Sequence, residues 1–205
     1  MNNSVDLKHT EEKAKKLQQD RKKLPIWPYR KQLVDAVRNC NNCVIISSTG
    51  TGKSTQLPQF LLDGGFTSSG AIAISQPRRI AAITVAQRVA EELGRGPVGV
   101  GPVGYCVRFE DCSDPKRTLL RYMTDGMLLR EAILDPLLKR YSVIIVDEAH
   151  ERSLNTEVLL GVVLNASRKR RASFNNKSGT GPSSLKTLKV SVNTLFYCCC
   201  RLCST

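Results

Sequence analysis

The chain has 205 residues, of which 41% are hydrophobic, and its formal net charge is +13. This composition excludes wholesale disorder, and the length is that of one domain of ordinary size with additional segments at its ends. The excess of lysine and arginine indicates a polyanionic partner, of which nucleic acid is the most common.

The sequence also lacks the marks of membrane and secreted proteins. No apolar run approaches the roughly 20 residues that span a bilayer, and the first residues have no apolar stretch behind their charges. The eight cysteines do not form a regular disulfide pattern. We therefore expect an intracellular protein with no membrane partner.

The predicted elements follow a charged segment over residues 1–23, which we interpret as a flexible basic arm. From there, short apolar runs alternate with helix-forming segments. Strands are expected over 43–47, 71–75, 105–109, 118–124 and 141–147, and helices over 29–39, 53–62, 79–93, 125–134 and 155–165. This alternation predicts an α/β domain over 24–165, with a mostly parallel sheet covered by helices on both faces.

Residues 166–205 are different, because they are basic without any acidic residue and then rich in cysteine. We interpret them as an atypical tail, in which the cysteine cluster of residues 198–203 has no selected role. The basic run at 168–171 predicts a nuclear or nucleolar location in preference to the cytoplasm. Cys40 and Cys43 have the spacing of half a zinc site, but no second half lies nearby, so a structural role is expected.

The stretch VIISSTGTGKST, residues 44–55, is similar to a phosphate-binding loop of pattern G-x-x-x-x-G-K-[ST], with Ser47 in the place of the first glycine. Gly50 and Gly52 permit a tight turn at the start of a helix, where backbone N–H groups attract phosphate. Lys53 would reach the β- and γ-phosphates, and the Ser54 hydroxyl would bind Mg²⁺. The pattern is therefore incomplete at its first position, but no catalytic group is missing from it.

A second motif follows the most apolar predicted strand, where Asp147 and Glu148 come directly after VIIV. The carboxyl ends of parallel strands share one crevice, so Asp147 would face the metal held by Ser54. Glu148 would then be placed to orient an attacking water. Acidic residues that simply open a helix would explain one carboxylate but not both motifs together.

These motifs resemble those of the DEAH-box RNA helicases. Asp147-Glu148-Ala149-His150 matches the motif that names the family, and the segments at 48–65, 75–94, 103–111 and 123–131 match four others in order. The resemblance covers residues 24–165 and implies a RecA-like P-loop NTPase domain that uses ATP, Mg²⁺ and RNA. It also leaves open an activating protein partner.

The resemblance implies roles for individual residues. Asp147 and Glu148 would bind Mg²⁺ and activate water, and His150 would sense the γ-phosphate or a facing lobe. Arg78, Arg79 and Thr124 would contact the RNA backbone. Arg88 would stack on the nucleotide base. The residues expected around the nucleotide are Ser47, Ser48, Thr49, Gly50, Thr51, Gly52, Lys53, Ser54, Thr55 and Arg88.

The sequence departs from the family after residue 190, where SVNTLFYCCC stands in place of the Ser-Ala-Thr motif. The second RecA-like lobe, which carries the arginine fingers in this family, is not found in these 205 residues. Three interpretations therefore stay open: the ATP-binding lobe of a helicase, a truncated module that binds nucleotide or RNA without unwinding, and a fragment of a mispredicted or alternatively spliced transcript.

Overall fold

The computed structural model describes residues 16–175 and 189–194. Its strands are β1 (Asn42–Ile46), β2 (Ala71–Gln76), β3 (Val103–Val107), β4 (Glu110–Cys112), β5 (Leu120–Thr124), β6 (Tyr141–Val146) and β7 (Lys189–Thr194). Its helices are α1, described over 16–22, α2 (Arg30–Asn39), α3 (Lys53–Asp63), α4 (Arg79–Leu93), α5 (Asp125–Leu134) and α6 (Leu154–Asn175). Short 3₁₀ turns lie at Trp27–Tyr29, Phe66–Ser69 and Ala149–Glu151.

The strands form one sheet in the order β1-β7-β6-β2-β5-β3-β4. All neighbouring pairs are parallel except β3 and β4, which are antiparallel. Every residue of β2 and of β6 is buried, as expected for central strands that read as continuous apolar runs. The predicted α/β class with a mostly parallel sheet is confirmed.

Two hydrophobic clusters lie on opposite faces of this sheet. Ile72 and Ile74 of β2 belong to the cluster that contains residues of α2, α3 and α4. Ala71 and Ala73 of the same strand belong to the cluster that contains residues of α5 and α6. Since successive residues of a strand point to opposite faces, helices cover both sides of the sheet, as the sequence predicts.

The predicted strand at 105–109 is shifted in the structure, where β3 ends at Val107. Phe109 adopts a φ of +68°, which reverses the chain into the antiparallel strand β4. Sequence reasoning did not predict β4, because the three residues Glu110–Cys112 are too short and polar to show a strand pattern.

Packed structure also extends beyond both ends of the predicted domain. Arg21 of α1 is 8% exposed, although it lies in the segment predicted to be a flexible arm. The helix predicted to end at residue 165 continues to Asn175, and Arg170 within it is 1% exposed. Its Nη1 donates to the carbonyl oxygens of Leu138 and Tyr141, at 3.1 and 2.7 Å.

Strand β7 is a second correction to the predicted tail. It lies between β1 and β6, in a region of the chain expected to be outside the domain. Lys189 at its start donates from Nζ to the carbonyl oxygens of Arg38 and Cys40, at 2.7 and 3.1 Å. The predicted cysteine cluster at 198–203 lies outside the described residues.

Candidate nucleotide and nucleic-acid site

The two sequence motifs lie at the same edge of the sheet. The phosphate-loop segment follows β1, and Asp147 follows β6. The turn that carries Arg78 follows β2, and Thr124 ends β5. Because these strands are parallel, the loops after them meet at the carboxyl edge, where ligands of open α/β sheets bind.

Two glycines shape the phosphate loop. Gly50 and Gly52 have φ values of +76° and +94°, in the left-handed region that favours glycine. A Cβ at Gly52 would lie 3.0 Å from Leu24 Cδ1 and 3.2 Å from Gln56 Cγ. Gly52 is also the N-cap of α3, so the loop passes directly into the start of that helix. Backbone N–H groups at such a position are available to an anion.

Ser47, which replaces the first glycine of the usual pattern, is not among the residues with positive φ. A serine therefore adopts this conformation without the strain of a left-handed backbone. Its Oγ lies 2.8 Å from Thr51 Oγ1, and Thr51 Oγ1 also lies 2.9 Å from the carbonyl oxygen of Ser48, to which it can donate. These contacts join the two ends of the loop.

Lys53 folds back over the loop that precedes it. Its Nζ donates to the carbonyl oxygens of Ser47 at 2.8 Å and Ser48 at 3.1 Å, and the residue is 7% exposed. These carbonyls hold a buried cation beside the exposed glycine turn. A phosphate in the loop would offer this ammonium group a charged acceptor, which makes a stronger hydrogen bond than a neutral carbonyl.

A cavity of about 310 Å³ lies over this loop. Its walls come from the loop and the start of α3, from α4, and from the turn after β6. The lining residues are Leu24, Thr49, Gly50, Thr51, Gly52, Lys53, Ser54, Thr55, Arg88, Glu92 and Glu148. Most of the predicted nucleotide residues are thus brought together, while Ser47, Ser48, Asp147 and His150 lie outside the lining.

Sequence reasoning missed a buried polar network at this cavity. Glu92 is 2% exposed, and its Oε1 accepts a hydrogen bond from Arg88 Nε at 2.7 Å. Its Oε2 accepts from Gln56 and Gln59, both at 2.8 Å. Arg21 Nε donates to Gln56 Oε1 at 2.7 Å and lies 3.7 Å from Glu92 Oε2. The polar residues spaced along otherwise apolar helices were the only signal of this network in the sequence.

Asp147 has the environment of a metal ligand. The residue is fully buried, and its Oδ2 accepts a hydrogen bond from Gln76 Nε2 at 2.6 Å. Its Oδ1 is buried without any hydrogen-bond partner. An unpaired buried carboxylate oxygen is costly, and a cation or its bound water would satisfy it. These features fit Mg²⁺, which is commonly held by one or two carboxylates, a hydroxyl and substrate phosphates.

Glu148 lines the cavity beside the phosphate loop. It adopts a φ of +52°, which is uncommon for a residue with a side chain. Burial, and then the neighbouring charge of Asp147, raise the pKa of Glu148 above its usual value. His150 Nδ1 lies 3.3 Å from Glu148 Oε2. A carboxylate with a raised pKa is better suited to accept a proton from water.

The predicted RNA residues lie at the same edge, on the turn after β2, at the start of α4 and at the end of β5, and two of them are paired with acids. Arg78 Nη2 lies 3.1 Å from Glu151 Oε1, and Arg79 Nη2 donates to Glu110 Oε2 at 3.1 Å. Both arginine side chains are more than half exposed. Thr124 is the N-cap of α5 and leads directly into its first turn.

Two kinds of feature are absent from the residues that the structure describes. Among these residues, no group of three or more His, Cys, Asp or Glu side chains could hold a metal ion. No helix in this part of the chain is both long and apolar enough to cross a membrane.

Comparison with known proteins identifies similar sequences. No protein-family model matches the chain. The human protein named probable ATP-dependent RNA helicase DHX35 is 48% identical over 158 residues, which cover 77% of this chain and 22% of the relative. ATP-dependent RNA helicase DHX33 of Mus musculus is 51% identical over 155 residues, covering 76% of this chain and 22% of the relative.

The DHX33 protein of Drosophila melanogaster is 50% identical over 159 residues, again covering 22% of its length. The chain thus spans about 22% of the length of these curated relatives. The identity extends over about three-quarters of this chain and agrees with the motifs recognised in its sequence. Over about three-quarters of its length, the chain is homologous to DEAH-box ATP-dependent RNA helicases.

Proposed function

We propose that the chain forms the RecA-like ATP-binding lobe of a DEAH-box RNA helicase and binds Mg-ATP in the cavity over its phosphate loop. The observation that carries this proposal is the unpaired Oδ1 of buried Asp147 at the sheet edge that also holds Lys53 and the glycine turn. A purely structural carboxylate would be expected to find a donor for both of its oxygens.

The nucleotide would lie with its phosphates on the loop and its base towards Arg88. Lys53 would exchange the carbonyls of Ser47 and Ser48 for the β- and γ-phosphates. The backbone N–H groups from Gly50 to Thr55 would bind the same phosphates, helped by the dipole of α3. Arg88, held by Glu92 at the cavity wall, would stack against the base.

Hydrolysis would depend on the turn after β6. When bound, Mg²⁺ would neutralise negative charge that develops on the phosphates. Asp147 would hold the metal through Oδ1, and Ser54 would provide its hydroxyl. Glu148 would orient the attacking water and accept its proton. His150, whose Nδ1 lies 3.3 Å from Glu148 Oε2, would respond to the γ-phosphate or to a facing lobe.

RNA would bind through its phosphates at Arg78, Arg79 and Thr124. Arginine contacts to phosphates carry no sequence information, so binding would be nonspecific and sensitive to salt. The acids Glu110 and Glu151 would be displaced from the two arginines when RNA binds. Complete helicase action would also need a second lobe with arginine fingers, and an activating protein would be a further partner.

A second candidate function is a nucleotide- and RNA-binding module that does not unwind duplexes. The observation that favours it is the sequence after residue 190, where the family has Ser-Ala-Thr and this chain has other residues. In either case an intracellular, nuclear or nucleolar location is proposed. Arg170 is buried, however, so only three side chains of the basic run at 168–171 are exposed.

Equilibrium titration with a fluorescent adenine nucleotide and Mg²⁺ tests the main proposal. Wild-type chain should bind the nucleotide, and Lys53→Ala should abolish binding. Lys139→Ala changes an exposed lysine away from the cavity and should bind as the wild type does. Equal affinities for wild type and Lys53→Ala would contradict the proposed site.

A further inference from the structure

The hydrogen bond between Gln76 and Asp147 joins the end of β2 to the turn after β6. In the proposed function, the first of these leads to the RNA contacts and the second holds the metal ligand. Gln76 Nε2 donates to Asp147 Oδ2 at 2.6 Å, and the two residues are 2% and 0% exposed. The backbone N–H of Asp147 also donates to the carbonyl oxygen of Ser75, at 3.1 Å. Asp147 is therefore held by the end of β2 through both its backbone N–H and its side-chain carboxylate.

This bond determines the direction of the other carboxylate oxygen. Once Oδ2 is bound to the Gln76 amide, rotation of the carboxylate is restrained and Oδ1 has a fixed orientation. Oδ1 is the atom that has no hydrogen-bond partner. An amide is suited to this task because it donates a hydrogen bond without a positive charge, so the full negative charge of Asp147 stays available to a cation.

Gln76 also lies next to the proposed RNA contacts. It is the last residue of β2 and pairs in register with Thr124 at the end of β5. Only Pro77 separates it from Arg78, and α4 begins at Arg79. A shift of the Asp147 carboxylate on metal binding would move the Gln76 amide, because the two are in direct contact in a closely packed interior.

We propose that Gln76 is a positioning residue that orients the Asp147 carboxylate and links occupancy of the metal–nucleotide site to RNA binding at Arg78, Arg79 and Thr124. This inference rests on the proposed function. The link is a free-energy coupling, so RNA must change the affinity for nucleotide by the same factor as nucleotide changes the affinity for RNA.

The test is a binding cycle with Gln76→Met, which has a similar volume and no amide. The affinity of the full chain for a fluorescent, non-hydrolysable ATP analogue is measured with Mg²⁺ and with EDTA, each with and without single-stranded RNA. The matched control is Ser142→Ala. Ser142 Oγ is bonded to the carbonyl oxygens of Gly70 and Ala71, so this control removes a buried hydrogen bond near the opposite end of β2 and β6.

In the wild type, we expect Mg²⁺ to tighten nucleotide binding and RNA to change it by about 5-fold or more. Gln76→Met should lose most of the effect of Mg²⁺ on nucleotide affinity. RNA should change its nucleotide affinity by a factor close to one, and its affinity in EDTA should equal that of the wild type. Ser142→Ala should retain both effects. In an Asp147→Asn background, Gln76→Met should have no further effect, because the carboxylate through which it acts is gone.

Several results would overturn the inference. Wild-type Mg²⁺ and RNA effects in Gln76→Met would show that the amide does not position the carboxylate. An equal loss of affinity with Mg²⁺ and with EDTA, accompanied by a lower melting temperature, would show a structural role only. Loss of the Mg²⁺ effect with a normal RNA effect would remove the link. A wild-type chain that binds no nucleotide would instead overturn the proposed function, and this inference with it.

Discussion

The hydroxyl oxygens of Ser47 and Thr51 lie 2.8 Å apart and close the phosphate loop at the position where the usual pattern has a glycine. Ser47 has no left-handed φ, so the conformation at this position does not require glycine. The substitution therefore adds a hydrogen bond across the loop and leaves Gly50 and Gly52 to make the turn.

The first prediction concerns this bond. Ser47→Gly removes the hydroxyl and loosens the loop, so nucleotide affinity should change by less than about 10-fold, the equivalent of one modest hydrogen bond. Ser47→Ala should behave similarly, while Lys53→Ala should abolish binding. Calorimetric titration with Mg-ATP measures all three variants. Losses as large in the Ser47 variants as in Lys53→Ala would show that Ser47 itself is essential for the phosphate site.

A second prediction concerns Arg21, which the sequence placed in a flexible arm. Arg21→Met removes the donor to buried Gln56 Oε1, so the free energy of unfolding should fall by about 1–3 kcal/mol. Lys23→Met is the control, because its side chain is 77% exposed and should change stability by less than about 0.5 kcal/mol. Urea unfolding of both variants provides the measurement. Similar midpoints for the two would mean that α1 does not stabilise the domain.

The parts that sequence reasoning found and missed differ in their physical origin. The strands β2 and β6 were predictable because they are buried on both faces and read as apolar runs. The site motifs were predictable because phosphate binding demands particular residue types at fixed spacing. Asp147 and Lys53 therefore lie at one edge of the sheet, as the alternation of strands and helices predicted.

The missed features depend on contacts between distant residues. Arg21 looked like part of a charged arm because its partners Gln56 and Glu92 are far away in sequence. The β3–β4 hairpin was missed because its turn uses a phenylalanine, Phe109, at positive φ in place of the usual glycine or asparagine. The place of β7 between β1 and β6 was missed because it is set by the whole sheet and not by the local sequence pattern.

A third prediction concerns RNA binding. Arg79 donates to Glu110, so Glu110→Gln should release the arginine and raise RNA affinity by about 2- to 5-fold. Arg79→Ala should lower the RNA affinity. The slope of the logarithm of the binding constant against the logarithm of the salt concentration should become shallower by about 0.7, as expected for one lost phosphate contact. Fluorescence anisotropy with single-stranded RNA at several salt concentrations tests both changes.

Glu157→Gln is the control for the loss of an acidic side chain. Glu157 pairs with Arg152 on the surface and touches none of the proposed RNA residues. An equal gain of affinity in Glu110→Gln and Glu157→Gln would indicate a general charge effect. A salt-independent affinity, or a strong preference for one RNA sequence, would count against phosphate binding altogether.

A fourth prediction concerns Asp125, which follows Thr124. Burial raises the pKa of Asp125, although its Oδ2 accepts a hydrogen bond from Thr156 Oγ1 at 2.5 Å. Since the folded-state pKa lies above the unfolded value, this carboxyl favours folding most at low pH, and that contribution declines as the pH rises through the folded pKa. Asp125→Asn keeps an acceptor for Thr156 and removes the buried charge.

The melting temperature of Asp125→Asn, relative to that of the wild type, should therefore rise as the pH increases from about 4 to about 7. Differential scanning fluorimetry in a series of buffers gives this difference directly. A difference that is constant with pH, or that falls as the pH rises, would show that the carboxyl is not destabilised by burial.

Turnover by the isolated 205-residue chain provides the last prediction. Among the residues that the structure describes, the proposed catalytic groups are Lys53, Asp147 and Glu148, and they would contact the nucleotide from one side only. Arginine fingers, which the family resemblance assigns to a second lobe, contribute roughly 10³–10⁵ in rate. The chain alone should bind Mg-ATP, hydrolyse it very slowly and leave RNA duplexes intact.

RNA-stimulated phosphate release by the purified chain, measured beside nucleotide binding and strand displacement, tests this account most directly. We predict saturable Mg-ATP binding with phosphate release close to the background of Glu148→Gln and no displaced strand. Robust RNA-stimulated release that disappears in Glu148→Gln would contradict the account, and would mean that the chain completes its catalytic site with a second molecule.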